Sequence, residues 1–275
     1  MQLQALIMSD PRSAVIIKVP ATSANIGPGF DVVGLSLSLY LTLTVKFGAP
    51  SSSLVKITYS GEGADEVPLD PYRNLTTRVA LYVLRCNNHR SFPPGLVSIH
   101  ADNQIPFGRG LGSSGAAVIA GVLLGNTLGQ LKLSRGRILD YALMVERHPD
   151  NVTAALVGGF VGSYLRELDP VASEAAQVPL SEVLPEYPPD AGEEWGLSPP
   201  VPPSGIGHFV RFGWSSAIKA VAIIPRFELS TAKAREVLPT AYSRKDLVRG
   251  LNTDVPPSES ADAQLRFSTC NGLLC

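Results

Sequence analysis

A glycine- and serine-rich segment, PFGRGLGSSGAA at 106–117, directly precedes a long apolar run. A glycine-rich loop that opens a helix presents free backbone N–H groups and the positive end of the helix dipole, and these together hold an anion. Ser113 and Ser114 add hydroxyl groups that can bind phosphate oxygens or a magnesium ion. The segment therefore predicts a phosphate site, and the alternative is that its glycines serve only a tight turn and close helix packing.

The pattern Gly110-x-Gly112-x-x-Gly115 also matches the fingerprint of dinucleotide-binding proteins. That site needs an acidic residue about 20 positions later for the ribose, but the chain has the basic stretch SRGR at 134–137. A Walker loop needs a lysine between Gly112 and the following serine, and the chain has none. An NAD(P)-dependent oxidoreductase remains an alternative that rests on the glycine pattern alone.

Two further polar segments accompany the glycine-rich one. VPATSANIGPGFDVVGLSL, at 19–37, is a small-residue loop between strand candidates, and it carries Asn25 and Asp31. VERHPDN, at 145–151, gathers four polar side chains at the end of an apolar helix: Glu146, His148, Asp150 and Asn151. The second cluster is unusually polar for the end of an apolar helix, although turn formation, helix capping and a satisfied buried imidazole would explain these residues without a function.

The bulk composition excludes several classes of protein. The chain of 275 residues has a formal net charge of -1 and no basic block, so we expect no nucleic-acid partner. No apolar run is long enough to cross a bilayer, so we expect no membrane partner. Three scattered cysteines fit a reducing compartment, and a cytoplasmic location is expected. The sequence does not fix the oligomeric state, and a homodimer is one assembly that it allows.

The segments that must position these groups read as a mixed α and β domain. Strands are predicted at AVIIKVP, across the alternating stretch 40–47 and at LVKITYS, and together they suggest an antiparallel sheet. Helices are predicted over 74–88, over 116–128, where nearly every face is apolar, and from Ser134 to a stop at Pro149.

The second part of the chain differs from the first in composition and periodicity. Residues 185–203 are rich in proline and acidic side chains, which predicts an exposed insertion or linker. The stretch IKAVAIIPRFELSTAKAREVLP then predicts a strand, a proline turn and a helix. Residues 249–275 show no periodicity and predict a disordered tail.

Four segments in order resemble the GHMP kinases, a superfamily that includes galactokinases, homoserine kinases and mevalonate kinases. They are PATSANIGPGFDVVG, PFGRGLGSSGAA, ERHPDNVTAALVGGFVGS and STAKAREVLP, and the details are most similar to homoserine kinases of fungal type. The resemblance implies an α+β, two-domain GHMP kinase fold. Its N-terminal domain is similar to the ribosomal S5 domain 2-like fold, and its C-terminal domain is a ferredoxin-like α+β domain. The implied division is an extension at 1–14, an ATP-binding domain at 15–170, the start of the second domain at 171–248 and a tail at 249–275.

The resemblance implies phosphorylation of the L-homoserine hydroxyl by ATP and Mg²⁺, a step of threonine biosynthesis. Ser114 and Glu146 would hold the magnesium ion, and they are implied as catalytic together with Asp31. The residues implied for ATP binding are Pro106, Gly108, Arg109, Gly110, Leu111, Gly112, Ser113, Ser114, Gly115, Ala116 and Asn74. Those implied for homoserine are Asn25, Asp31, His148, Asn151 and Arg235. For Asn74, capping of a helix is an equal alternative.

The chain departs from the family pattern after about Val248, where the second glycine-rich motif and a late arginine are missing. We therefore expect a C-terminally truncated or frame-altered member, with an incomplete second domain. An inactive protein that binds ATP or a metabolite, and a kinase for another small alcohol, both stay open as alternatives.

Overall fold

The structure is a computed structural model that describes residues 14–27, 29–48, 55–187, 196–215, 217–219, 224 and 241. Three regions that carry predictions lie outside these residues: the first 13 residues of the predicted extension, the strand, proline turn and helix predicted over 218–239, which include Arg235 and are described only at 218, 219 and 224, and the predicted tail at 249–275. The predicted linker at 185–203 is described only at its two ends.

The described part of the chain contains six strands and six helices. Their bounds are β1 Val15–Ala24, β2 Val33–Phe47, β3 Lys56–Gly61, α1 Leu75–Cys86, β4 Leu96–Asn103, α2 Ser113–Leu128, α3 Arg135–Glu146, α4 Pro149–Val157, β5 Phe160–Leu165, α5 Pro170–Ala176, α6 Leu180–Val183 and β6 Gly207–Phe212.

The long strand β2 organises a single mixed sheet. β1 pairs antiparallel with most of it, whereas β4 pairs with its second half, from Leu41 to Phe47, and β5 with its first three residues. β6 extends the sheet beyond β5. Residues 207–212, predicted as part of the second domain, thus add a strand to the sheet of the first, and the division into domains stays a prediction.

The antiparallel arrangement expected of the first three strands is correct for β1 and β2 and wrong for β3. β3 pairs parallel with β4, in a register that joins Ile57 to Ile99. Two adjacent parallel strands need a crossover connection. Here α1 supplies it, because it lies between β3 and β4 in the chain.

The buried helix predicted over 116–128 is confirmed, and it begins three residues earlier, at Ser113. Val118, Ile119 and Leu124 on α2 are all 0% exposed. A Cβ atom added at Gly121 would lie 2.5 Å from the carbonyl oxygen of Thr76, so glycine lets the backbones of α1 and α2 approach closely. This packing fixes the N-terminus of α2, which carries the glycine-rich loop.

The helices of the described residues are too short or too polar to cross a bilayer.

Candidate active site

The glycine-rich loop between β4 and α2 depends on three left-handed residues. Gly108, Gly110 and Gly112 have φ angles of 63°, 70° and 65°. Side chains with a Cβ disfavour this region, so glycine is needed at alternate positions of the loop. Gly112 is also the N-cap of α2, and as a glycine it provides no side-chain acceptor for the first-turn N–H groups. The loop therefore ends at a helix N-terminus whose donors suit an anion.

Contacts on both sides of the loop hold it to the sheet. The Thr22 N–H on β1 donates to the Leu111 carbonyl at 3.0 Å, and Leu111 is 2% exposed. Before the loop, the Asn103 side chain exchanges two hydrogen bonds of 3.0 Å with the backbone of Ile105. Phe107 packs directly against Gly63, where an added Cβ would lie 2.0 Å from its ring. The loop is therefore a fixed cradle, and the half-buried Pro106 and Arg109 lie within it.

A carboxylate, a hydroxyl and an imidazole lie together at the N-terminus of α2. The Ser114 hydroxyl donates to Glu146 Oε1, and Glu146 Oε2 lies 3.9 Å from His148 Nδ1. The side chains of Glu146 and His148 are 14% and 32% exposed, so a ligand can still reach them. The structure thus brings together three of the residues that the sequence analysis selected.

The corner between α3 and α4 positions this group. Glu146 is the last residue of α3, His148 is the N-cap of α4, and Arg147 between them is left-handed with a φ of 67°. The Arg147 guanidinium donates to the carbonyl oxygens of Ala176 and Val178, and burial lowers the pKa of Arg147. No local sequence pattern points to Arg147, because its hydrogen bonds go to carbonyl groups 29 and 31 positions away.

Ser114 and Glu146 have the chemistry of magnesium ligands. Both present hard oxygen atoms, and Mg²⁺ usually binds one or two protein carboxylates and takes its remaining ligands from water and substrate phosphates. Within the described ranges, no group of three or more His, Cys, Asp or Glu side chains could hold a metal ion by itself. A magnesium ion held here would therefore depend on the phosphates that the adjacent loop is suited to bind.

Asn25 and Asp31 lie in the turn that joins β1 to β2. Both are left-handed, with φ angles of 59° and 56°, and the Asp31 N–H donates to Asn25 Oδ1 at 2.8 Å. The Asn25 N–H donates to the Val33 carbonyl at 3.0 Å, which closes the turn. Asn25 therefore shapes this turn, and the half-buried carboxyl of Asp31 is presented by it.

Asn151 connects α4 to the glycine-rich loop through a residue that the sequence analysis missed. The Thr22 hydroxyl donates to Asn151 Oδ1 at 2.8 Å across 129 positions of the chain, and Thr22 is 0% exposed. In the sequence, Thr22 is only a polar, β-branched residue among the small residues of PATSAN, and this does not indicate a role. Its role is visible only from its contact with Asn151 in the structure.

Asn74 lies at the start of α1, where its side chain caps the helix. Its Oδ1 accepts from the N–H groups of Thr76 at 3.0 Å and Thr77 at 3.4 Å, and its Nδ2 donates to the Pro68 carbonyl at 3.0 Å. The side chain is buried, and these contacts stay within the segment around the start of α1. The structure therefore supports the capping alternative for Asn74, and an adenine contact stays a prediction.

Two substitutions at Asn74 separate these roles. We expect Asn74→Ala to lower the free energy of unfolding by about 1 kcal/mol, because the cap is lost. Asn74→Asp keeps the acceptor and should retain most of that stability. Chemical denaturation measures this, and the KM for ATP should stay at the wild-type value in both variants if capping is the only role. A raised KM in the stable aspartate variant would instead support the adenine contact.

Comparison with known proteins places this site in a family. Residues 74–159 match the model of the GHMP kinases N terminal domain, a range that contains the loop, Ser114, Glu146 and Asn151. The homoserine kinase of Saccharomyces cerevisiae is 56% identical over 244 residues, covering 86% of this chain and 68% of that protein. The homoserine kinase of Schizosaccharomyces pombe is 49% identical over 86% of this chain and 66% of its own length. The chain thus spans about two thirds of the length of these relatives.

A solved structure with low sequence identity to this chain also supports the fold. The homoserine kinase of Cytophaga hutchinsonii matches with a TM-score of 0.62 at 24% identity, over 90% of this chain and 66% of that one. At this low identity the structural similarity supports the fold alone. The family relationship rests on the higher sequence identity to the yeast proteins. The chain therefore belongs to the homoserine kinases, within the GHMP kinase superfamily.

Proposed function

We propose that the chain transfers the γ-phosphoryl group of ATP to the hydroxyl of L-homoserine, giving O-phosphohomoserine for threonine biosynthesis. The observation that carries the proposal is the cradle of left-handed glycines at the N-terminus of α2, directly beside the Ser114–Glu146 pair. A phosphate chain and its magnesium ion need these two features next to each other.

The loop from Gly108 to Ala116 supplies the site for the triphosphate. The backbone N–H groups from Gly110 to Ser114 would contact the phosphate oxygens, and Ser113 would add a hydroxyl. Ser114 and Glu146 would hold Mg²⁺, which when bound offsets the negative charge of the phosphates. The dinucleotide alternative loses support, because β4 leads through the loop into α2 and two more helices. Among the described strands, β4 pairs parallel only with β3, which precedes it.

The substrate would lie beside this cradle. Asp31 would pair with the ammonium group, and Asn25, His148 and Asn151 would orient the amino acid and its hydroxyl. Arg235, which lies outside the described residues, is proposed for the carboxylate. In the reaction, the hydroxyl oxygen attacks the γ phosphorus, the bond from that phosphorus to the bridging oxygen of ADP breaks, and the hydroxyl proton is released. Positioning and charge neutralisation can carry most of such a step, so a strong side-chain base is not required.

The test is homoserine-dependent release of ADP from Mg-ATP by the purified full chain. We expect turnover that needs homoserine and magnesium, and that is much lower with mevalonate or threonine as the acceptor. Binding of ATP without turnover would support the inactive binding protein instead. Turnover with another alcohol would keep the kinase and replace the substrate, whereas saturable NADPH binding without ATP binding would overturn the proposal.

A further inference from the structure

We propose that Thr22 is a positioning residue, which fixes the side-chain amide of Asn151 beside the phosphate loop and so couples the loop to the substrate hydroxyl. The inference rests on the proposed function, because it assigns Thr22 a role in presenting the acceptor to the phosphate. Thr22 itself would touch neither substrate nor ATP, and it would act through Asn151.

Thr22 makes one contact with each of the two elements that it would couple. Its backbone N–H donates to the Leu111 carbonyl of the glycine-rich loop at 3.0 Å, and its hydroxyl donates to Asn151 Oδ1 on α4 at 2.8 Å. A single buried residue thus connects the loop and the amide. Because the two contacts use different atoms, the hydroxyl can be removed while the backbone contact to the loop is kept.

Gly112 leaves the space through which this hydrogen bond passes. A Cβ at Gly112 would lie 2.0 Å from Thr22 Oγ1 and 2.9 Å from Asn151 Oδ1, so no larger residue fits beside the pair. The glycine that caps α2 therefore has two functions in the loop. It adopts the left-handed conformation, and it lets the hydroxyl and the amide meet next to the helix N-terminus.

An irregularity in the sheet accompanies the inward position of Thr22. Pro20 pairs with Tyr40, but Thr22 pairs with Ser36, so the register of β1 on β2 shifts by two residues at this point. Further back on β1, Ile16 and Lys18 are exposed, whereas Thr22 is 0% exposed. Irregularities of this kind often re-aim a side chain next to a functional site. Here the side chain is directed to the loop and α4.

Two contacts agree on which way the Asn151 amide faces: its oxygen accepts from the Thr22 hydroxyl, and its Nδ2 faces a carboxylate oxygen of Asp150, which can only accept. A threonine hydroxyl that donates to the amide must meet its oxygen, so the Nδ2 group faces the other way. There Nδ2 lies 3.4 Å from Asp150 Oδ1, a contact that engages one of its two hydrogens. The second N–H can then donate to the oxygen of the substrate hydroxyl. Without Thr22, the amide could turn by half a rotation and present its oxygen instead.

The test compares Thr22→Val, which removes only the hydroxyl, with Thr22→Ser, which restores it. We expect Thr22→Val to lower kcat by on the order of 10²-fold with the KM for ATP unchanged, since small misplacements of a reacting group have effects of this size. Thr22→Ser should recover most of kcat. The matched control is Thr58→Val on β3, whose hydroxyl contacts His100 at 2.9 Å away from the loop, and its kcat should equal that of the wild type.

A double-mutant cycle shows whether Thr22 acts through Asn151. If it does, Thr22→Val should have no further effect on kcat in the Asn151→Ala background. Calorimetry with homoserine and a non-hydrolysable ATP analogue gives a second measure, in which Thr22→Val should weaken homoserine binding and leave nucleotide binding unchanged. Additive losses in the cycle, or a kcat loss that serine does not restore, would overturn the inference. An inactive wild-type chain that binds no homoserine would instead overturn the proposed function.

Discussion

Replacing Glu146 with alanine is expected to lower kcat for homoserine phosphorylation by on the order of 10²–10³-fold, because the site loses a charge that acts on the transferring phosphoryl group. Glu146 is the carboxylate that contacts the Ser114 hydroxyl at the N-terminus of α2. If Glu146 holds the magnesium ion as proposed, loss of that carboxylate removes one anionic ligand of the ion. Steady-state measurement of homoserine-dependent ADP release gives the size of the effect.

Two further variants test whether the loss of kcat depends on the charge of Glu146. Glu146→Gln keeps the size of the side chain, and we expect it to need more free Mg²⁺ for half-maximal rate. Glu174→Ala removes an exposed carboxylate on α5 and should leave both kcat and the magnesium requirement unchanged. If Glu146→Ala turned over homoserine within a few-fold of the wild-type rate, Glu146 could not be a ligand of the catalytic magnesium ion.

The local parts of this site could be predicted from the sequence, because their signals lie within a few positions. The glycines before an apolar run predicted a loop at the N-terminus of a buried helix, and the structure confirms α2 as that helix; the left-handed conformation of the glycines is a finding of the structure. The predicted stop at Pro149 was also local, since proline removes the N–H that a continuing helix would need, but the helix ends earlier because Arg147 is left-handed. In the structure α3 ends at Glu146, and Pro149 opens α4.

The contacts between segments could not be predicted from the residues alone. Ser114 and Glu146 are 32 positions apart, and Thr22 and Asn151 are 129 apart, so their meeting depends on how the helices pack on the sheet. Resemblance to a known family grouped some of these residues by role. It did not indicate that Thr22 contacts Asn151, because no role in the family pattern pointed to that threonine.

The direction of β3 was missed for a different reason. Alternation of apolar and polar residues shows that a segment is a strand, but it is the same for parallel and antiparallel partners. The information lay in the connection, since the helix predicted over 74–88 separates β3 from β4 and is long enough for a parallel crossover. Reading the strands together with the helices between them would have predicted this pairing.

Gly112→Ala is expected to damage both the fold and the site, because Gly112 serves the loop in two ways. An alanine at a φ of 65° is strained, and its Cβ would lie 2.0 Å from Thr22 Oγ1. Together these effects should lower the free energy of unfolding by roughly 2–4 kcal/mol. The side chain would also separate Thr22 from Asn151, so we expect ATP affinity and kcat to fall together in the fraction that remains folded.

Gly136→Ala is the matched control for this change. Gly136 lies in the first turn of α3, its φ is not positive, and an added Cβ would meet nothing within 4 Å. There the same substitution should raise the free energy of unfolding by about 0.5–1 kcal/mol, because alanine has less backbone freedom to lose on folding. Denaturation and ATP titration of both variants measure the contrast. Equal stability of the two variants would show that the loop rearranges easily around a Cβ, in which case Gly112 would not be what keeps Thr22 and Asn151 in contact.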